Sequence, residues 1–461
     1  MSTPSPTAAL TVSRILHAGY VFECDGTRIA FDTIFENPFS RNCHAFPDVR
    51  FDGEQIRRQR FDAVFISHFH DDHCSLESLD LLDRATPLYI YCIFEELFDM
   101  VRQLGFSRVH ALRLDEPVAI GAFQVVPREA MDADVDSMFQ VKAAGLNVLN
   151  VVDSWIDDTT LAKLVGEGPW DMVLWPFQTM RELEVLAPSR AVAAPPALPE
   201  EWLRQLRALA PRYVVPSSCQ FLQEPWSWYN RAFFPISYAQ FGREVAAALP
   251  DSRVVRLDPS SSVRLDATSL QPAPPLPWVI PVGPQDVDYV YEGNAAPPTT
   301  ADIARHFAPL TAAQQARVTA FCRVGLLDKA GAVEAASDYF ERTRIWQLSV
   351  FDHAGQATRF RYRLEPDGSA CHDDGAAPLA WTTDIPAAKL YAALELGESL
   401  TSMYMRINDT VFDADIEREL AQADVVDDPL IRCLFGETFG AYQAAQLRRL
   451  LGVSAEATPS R

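Results

Sequence analysis

Residues 61–75 read Phe61-Asp62-Ala63-Val64-Phe65-Ile66-Ser67-His68-Phe69-His70-Asp71-Asp72-His73-Cys74-Ser75. The run Ala63-Val64-Phe65-Ile66 is apolar throughout and has the composition of a buried strand. It stops abruptly at Ser67, and the next six positions hold three imidazoles and two carboxylates in an HxHxDH pattern. Imidazole nitrogen and carboxylate oxygen are the usual protein donors to Zn²⁺, Fe²⁺ and Mn²⁺, and donors fixed just past a buried strand converge with little ordering cost. His68 and His70 are therefore expected to serve one metal ion, and Asp72 and His73 a second. The bland alternative is a polar loop with chance histidines. The strand that precedes the motif argues against it, because a motif counts most in its structural context.

The 461 residues are enough for two or more domains, and a composition of 48% hydrophobic and 22% charged residues is that of a globular chain. The net charge of -22 opposes approach to nucleic acid or to an anionic membrane. The opening MSTPSPTAALTVSR lacks the basic start and apolar core of a signal peptide, and no apolar run is long enough to span a bilayer, so a soluble, cytoplasmic protein is expected. Eight scattered cysteines without a CxxC pair read as reduced thiols rather than a disulfide framework or an iron–sulfur cluster.

Strand and helix signals alternate along the first part of the chain. Helices are expected at 76–82, with Ser75 as N-cap, and at 95–104; strands at 88–93, 119–126, 171–175 and 213–215; and a hairpin of 139–144 and 146–152 around Gly145. The aromatic stretch 221–238 either lines a pocket beside the metals or packs as a cap. Prolines crowd residues 271–298, which reads as a semi-rigid linker between a metal domain at 1–270 and a smaller α+β domain at 299–461. The latter shows helix signals at 312–324, after 384–386 and at 437–451, a hairpin of 345–351 and 359–364, and a strand at 400–407. Its histidines, His306, His353 and His372, stand apart, so capping, docking or dimerisation is its expected role.

The HxHxDH motif, together with His17-Ala18-Gly19-Tyr20-Val21-Phe22-Glu23, Gly26-Thr27-Arg28-Ile29-Ala30-Phe31-Asp32 and the strand ending at Asp153-Ser154, resembles the metallo-β-lactamase superfamily over residues 10–265. The resemblance implies an α/β fold, an αββα sandwich with a dinuclear metal site at one edge and Asp153 as bridging carboxylate. Dizinc hydrolases of that superfamily supply two further histidines after the motif. Here the nine histidines leave the stretch 111–305 with none. Where the third is expected the chain reads Arg128-Glu129-Ala130-Met131-Asp132, which makes Glu129 the candidate replacement and Asp132 the reserve. Where the last is expected it offers Ser217, Ser218 and Cys219, none a convincing substitute.

The expected ligands are thus His68, His70 and Glu129 for the first metal, Asp72 and His73 for the second, and Asp153 between them. Two histidines and one carboxylate form the facial set of non-haem Fe(II) oxygenases. This pattern resembles the metallo-β-lactamase-fold diiron β-hydroxylases of non-ribosomal peptide assembly, whose extra domain precedes the metal domain, whereas here it follows. The expectation is a dinuclear iron oxygenase acting on a small organic substrate, free or carrier-tethered, with an external electron donor. A dinuclear Zn or Mn hydrolase of phosphodiesters, lactones or amides is the alternative, and the oligomeric state stays open.

Overall fold

A computed structural model describes residues 9–192, 194–195, 197–332, 342–367, 369–375, 377–398, 400–412, 428–435 and 440–452. The described residues divide into two compact units: those within 9–180, 195–292 and 446–452 form the first, and those within 181–194 and 293–445 the second.

The first unit is built on two sheets. One has eight strands in the order Leu270–Ala273, Ser262–Leu265, Leu10–Arg14, Tyr20–Cys24, Thr27–Phe31, Ala63–Ile66, Leu88–Ile90, Val109–Ala111. The other has seven, in the order Arg253–Val254, Tyr213–Ser217, Met172–Pro176, Leu146–Asn150, Ser137–Ala143, Phe123–Glu129, Val118–Ile120. Each sheet joins an antiparallel half made of hairpins to a parallel half. Parallel neighbours need crossovers, and these carry helices with one buried face: Leu97, Phe98 and Val101 on Glu95–Gln103, and Trp202, Leu206 and Leu209 on Glu200–Leu209. The sheets share one core, with Val12, Phe22, Phe31 and Phe65 meeting Val125, Phe139, Val148 and Leu174. Phe139 bridges the layers, its ring 5.1 Å from that of Phe31 and 6.0 Å from that of Phe65. This is the metallo-β-lactamase-like αββα sandwich.

Element positions agree with expectation at Ala63–Ile66, at the short helix Leu76–Leu79 capped by Ser75, and at Glu95–Gln103. The strand expected at 119–126 is two strands, because Gly121 at φ 53° turns the chain between Val118–Ile120 and Phe123–Glu129. Ala144 and Gly145, at φ 54° and 73°, make the tight turn of the following hairpin.

The domain boundaries differ from expectation. The proline-rich run 271–298 is no free connector: Leu270–Ala273 pairs with Ser262–Leu265, Val279–Pro281 pairs with Val49–Phe51, and Trp278 is fully buried. Pro272 sits on the outermost strand of its sheet, where a missing N–H costs no ladder bond. Near the other end of the chain Gln446 also joins this unit, its Oε1 accepting from the Leu76 N–H at 2.7 Å and its Nε2 donating to Ser75 Oγ at 2.9 Å.

The second unit is α+β, as expected. Its five-stranded sheet runs Ala370–His372, Ala357–Leu364, Arg344–Phe351, Trp381–Pro386, Arg406–Val411. Trp346, Trp381, Leu390 and Met405 lie in its core. The strand expected at 400–407 lies at Arg406–Val411. The final helix is Ala441–Leu451, and residues 437–439 of the expected one lie outside the described residues. None of the described helices is long and apolar enough to cross a membrane.

Candidate metal centre

The site forms where the strands Ala63–Ile66, Leu146–Asn150 and Tyr213–Ser217 end and the turn after Leu10–Arg14 meets them, the edge at which sheets of parallel strands offer open backbone and loops. Four residues around it hold positive φ: His17 at 49°, Asp32 at 40°, Val152 at 65° and Cys219 at 54°. Left-handed backbone is costly for residues with a Cβ, above all for β-branched Val152, and such strain gathers where function dictates geometry.

Asp32 organises the motif from behind. Its Oδ1 accepts from the Ser67 N–H and its Oδ2 from the Ser67 hydroxyl, both at 2.8 Å. His73 Nδ1 donates to Oδ2 at 3.1 Å, which leaves its Nε2 lone pair facing the site. His68 Nδ1 lies 2.9 Å from Ser67 Oγ, whose hydrogen is already given to Asp32, so His68 donates there and also presents Nε2. A carboxylate behind a histidine fixes tautomer and ring orientation, the usual support of a metal-ligating imidazole. Ser137, first residue of the strand Ser137–Ala143, donates its hydroxyl to the Ser67 carbonyl at 2.8 Å and locks the second sheet to the motif.

Two donor groups result. His17, Asp72, His73 and Asp153 form one, and His68, His70 and Asp136 the other; within each, one ligand atom per residue lies within 4.8 Å of all the others. The groups abut, the rings of His68 and His73 being 4.0 Å apart. His73 Nε2 is 3.0 Å from Asp153 Oδ2 and 3.7 Å from Asp72 Oδ2.

Of the expected ligands, His68, His70, Asp72, His73 and Asp153 come together. Glu129 does not. It ends its strand 2.9 Å from Lys163 Nζ and belongs to neither donor group described above, and Asp132 is exposed. The carboxylate beside His68 is Asp136, 3.8 Å from Nε2. The replacement is expected at the end of the incoming strand; the structure brings Asp136, last residue of the loop Ala130–Asp136, beside His68 at the start of the outgoing one. The Asp136 N–H closes a turn onto the Asp132 carbonyl at 2.8 Å, and the next residue, Ser137, is the one pinned to Ser67. The acid-rich run Asp132-Ala133-Asp134-Val135-Asp136 before a strand was the available signal.

His17, expected only as part of the first hairpin, is the second addition. Its Nε2 is 3.1 Å from both Asp72 Oδ2 and His73 Nε2, and Cys219, at the position of the missing last histidine, donates its backbone N–H to Nδ1 at 3.0 Å. Phe39 and Phe221 pack beside its ring. The remaining aromatics of 221–238 mostly serve as a packed cap, with Tyr229, Phe233, Phe234 and Tyr238 buried.

The chemistry of this donor set fits two cations. Asp136 Oδ1 and Asp153 Oδ1 are sealed from solvent with no hydrogen-bond partner among the described residues. Such an oxygen is costly unless a cation satisfies it. Burial and the nearby Asp153 carboxylate push the Asp136 carboxyl up to about 7. Burial also opposes ionisation of Asp72 and Asp153, but when His73 carries a proton in place of a cation its positive charge outweighs burial and holds both below the usual carboxylate range. Burial, with His73 and His70 alongside, keeps the His68 imidazole well below its usual value and hence neutral, the form that binds metal.

No family model and no curated protein matches the chain. Among solved structures, a metallo hydrolase of Ignicoccus hospitalis, Igni18, is 17% identical over 56% of this chain and 99% of its own, with a TM-score of 0.38. The diiron β-hydroxylase CmlA of Streptomyces venezuelae is 17% identical over 58% of this chain and 55% of its own, at 0.39, so the match spans about half its length. An isothiocyanate hydrolase from Delia radicum gut bacteria is 13% identical over 56% of this chain and 100% of its own, at 0.40.

Proposed function

We propose that the protein is a dinuclear non-haem iron oxygenase that hydroxylates or otherwise oxidises a small organic substrate. The observation that carries the reading is the donor count: Asp136 stands with His68 and His70, and the two groups together offer three carboxylates, Asp72, Asp136 and Asp153. Two imidazoles with one carboxylate favour Fe(II), and the added negative charge favours the ferric state over a set richer in imidazole. Iron bound there would supply O₂ activation and one-electron chemistry.

The chain's own residues do the rest. Asp32 and Ser67 hold His68 and His73 in one tautomer. Buried Phe39 and Phe221 keep water from the side of His17. Trp155 and Met131, both exposed and joined by a 2.9 Å bond from the Met131 N–H to the Trp155 carbonyl, give the rim next to Asp153 an apolar surface that suits an organic substrate. In a hydroxylation one oxygen atom of O₂ enters a C–H bond and the other leaves as water with two protons and two electrons. The 461 residues contain neither a GxGxxG turn nor a CxxC pair, so on this reading the electrons come from a separate donor such as a ferredoxin or reductase, or from the substrate itself.

The test is turnover by iron-loaded protein with candidate substrates, with O₂ and reductant each supplied or withheld. Consumption of O₂ and two electrons per product is expected. Multiple turnover without O₂ or reductant would mean that the metals activate water, and that metal-dependent hydrolysis is the activity.

A further inference from the structure

His17 lies among the ligand atoms of the second metal position, yet it carries its hydrogen on the wrong nitrogen for a ligand. The Cys219 N–H points at Nδ1 from 3.0 Å, so Nδ1 must offer a lone pair, and a neutral imidazole then bears its hydrogen on Nε2. Nε2 is the atom turned to the site, 3.1 Å from Asp72 Oδ2 and 3.9 Å from Asp153 Oδ2. His73 has the opposite arrangement: its Nδ1 hydrogen goes to Asp32, and its Nε2 lone pair is turned to the site, 3.1 Å from His17 Nε2 and 3.0 Å from Asp153 Oδ2.

The ring of His17 is also held in place. Turning it over would replace Nδ1 by a carbon and strand the Cys219 N–H. The His17 carbonyl accepts from the fully buried Arg14 guanidinium, which also bonds the Pro216 carbonyl at 2.9 Å and the Leu257 carbonyl at 3.2 Å. Phe39 stands 5.5 Å from the imidazole centroid and Phe221 6.3 Å.

We propose that His17 is a positioning residue and not a ligand: its Nε2–H holds the Asp72 carboxylate, and the protein gives the second metal only Asp72, His73 and Asp153. The proposal rests on the metal-site reading but not on the choice between oxygenase and hydrolase. It leaves the second metal more open to substrate or water than a fourth protein ligand would allow.

Zinc, added to the full-length protein, is the probe. About two ions per chain are expected, as in other two-metal sites, with X-ray absorption showing three imidazoles shared between them. His17→Gln, which keeps an N–H donor, should still bind both ions. His17→Leu should bind both at saturation but the second about tenfold more weakly, the loss of one hydrogen bond to a charged group. A His17→Gln protein that saturates at one ion, or wild-type scattering that needs four imidazoles, would overturn the proposal. The absorption measurement uses wild-type protein and so decides even where a variant fails to fold. Wild-type protein that binds no metal would remove the metal-site reading itself, whereas a one-ion His17→Gln variant of a two-ion wild type would remove only this proposal.

Discussion

Asp32 touches no expected metal position, yet it sets the direction of two candidate ligands, His73 directly and His68 through Ser67. Asp32→Ala should therefore lower metal affinity by about 10- to 100-fold, the usual cost of losing such a partner, while the fold persists; a competition titration against a chelator reads it. Gly19 protects the same aspartate, since a Cβ there would sit 2.7 Å from the Asp32 carbonyl oxygen. At this scale the motif residues His68, His70, Asp72 and His73 were legible because they are adjacent in sequence and follow one strand. Asp153 was legible through the end of another. Asp136 and His17 were not, for a shared reason: each reaches the site by a loop whose course is set by contacts distant in sequence, Ser137 to Ser67 and Cys219 to His17. Glu129 was a reasonable choice from strand order alone, and Lys163, on a helix no local pattern ties to it, draws it away.

Elements were legible where burial dominates. Ala63–Ile66 and Met172–Pro176 are buried at every position and read as apolar runs, and Leu146–Asn150 and Ser137–Ala143 were placed by the glycine turn between them. Residues 271–298 misled because proline is a poor strand former in general but tolerable on an outer strand. The elements that carry the site depend on the shared core, and Phe139 is its bridge, fully buried against Phe31 and Phe65. Phe139→Ala should cost about 3–5 kcal/mol in chemical denaturation. A cost below about 1 kcal/mol, within the range of a surface change, would mean that the two sheets do not rely on this contact.

For the whole molecule, stability and metal loading are separable. In the second unit Asp428 is fully buried, accepts from Thr383 Oγ1 at 2.7 Å and from the Leu430 N–H at 2.9 Å, and burial pushes its carboxyl up to about 6. An unfolded aspartate titrates near 3.9, so the folded protein binds this proton more tightly. The resulting stability is fully present below about pH 4 and is lost as the pH rises through about 6. Asp428→Asn should flatten that part of the profile, removing up to about 3 kcal/mol of the change in stability between pH 4 and 7. Denaturation midpoints of both proteins at pH 4.5 and 7 check it, and a wild-type profile no steeper than the variant's would contradict it. The metal assignment is decided by the metal content per chain of Asp136→Ala beside Glu129→Ala, each purified and reloaded with iron. Glu129→Ala should retain about two ions and Asp136→Ala about one. The reverse pattern, or two ions in both, would contradict the assignment of Asp136 as the carboxylate that completes the first site.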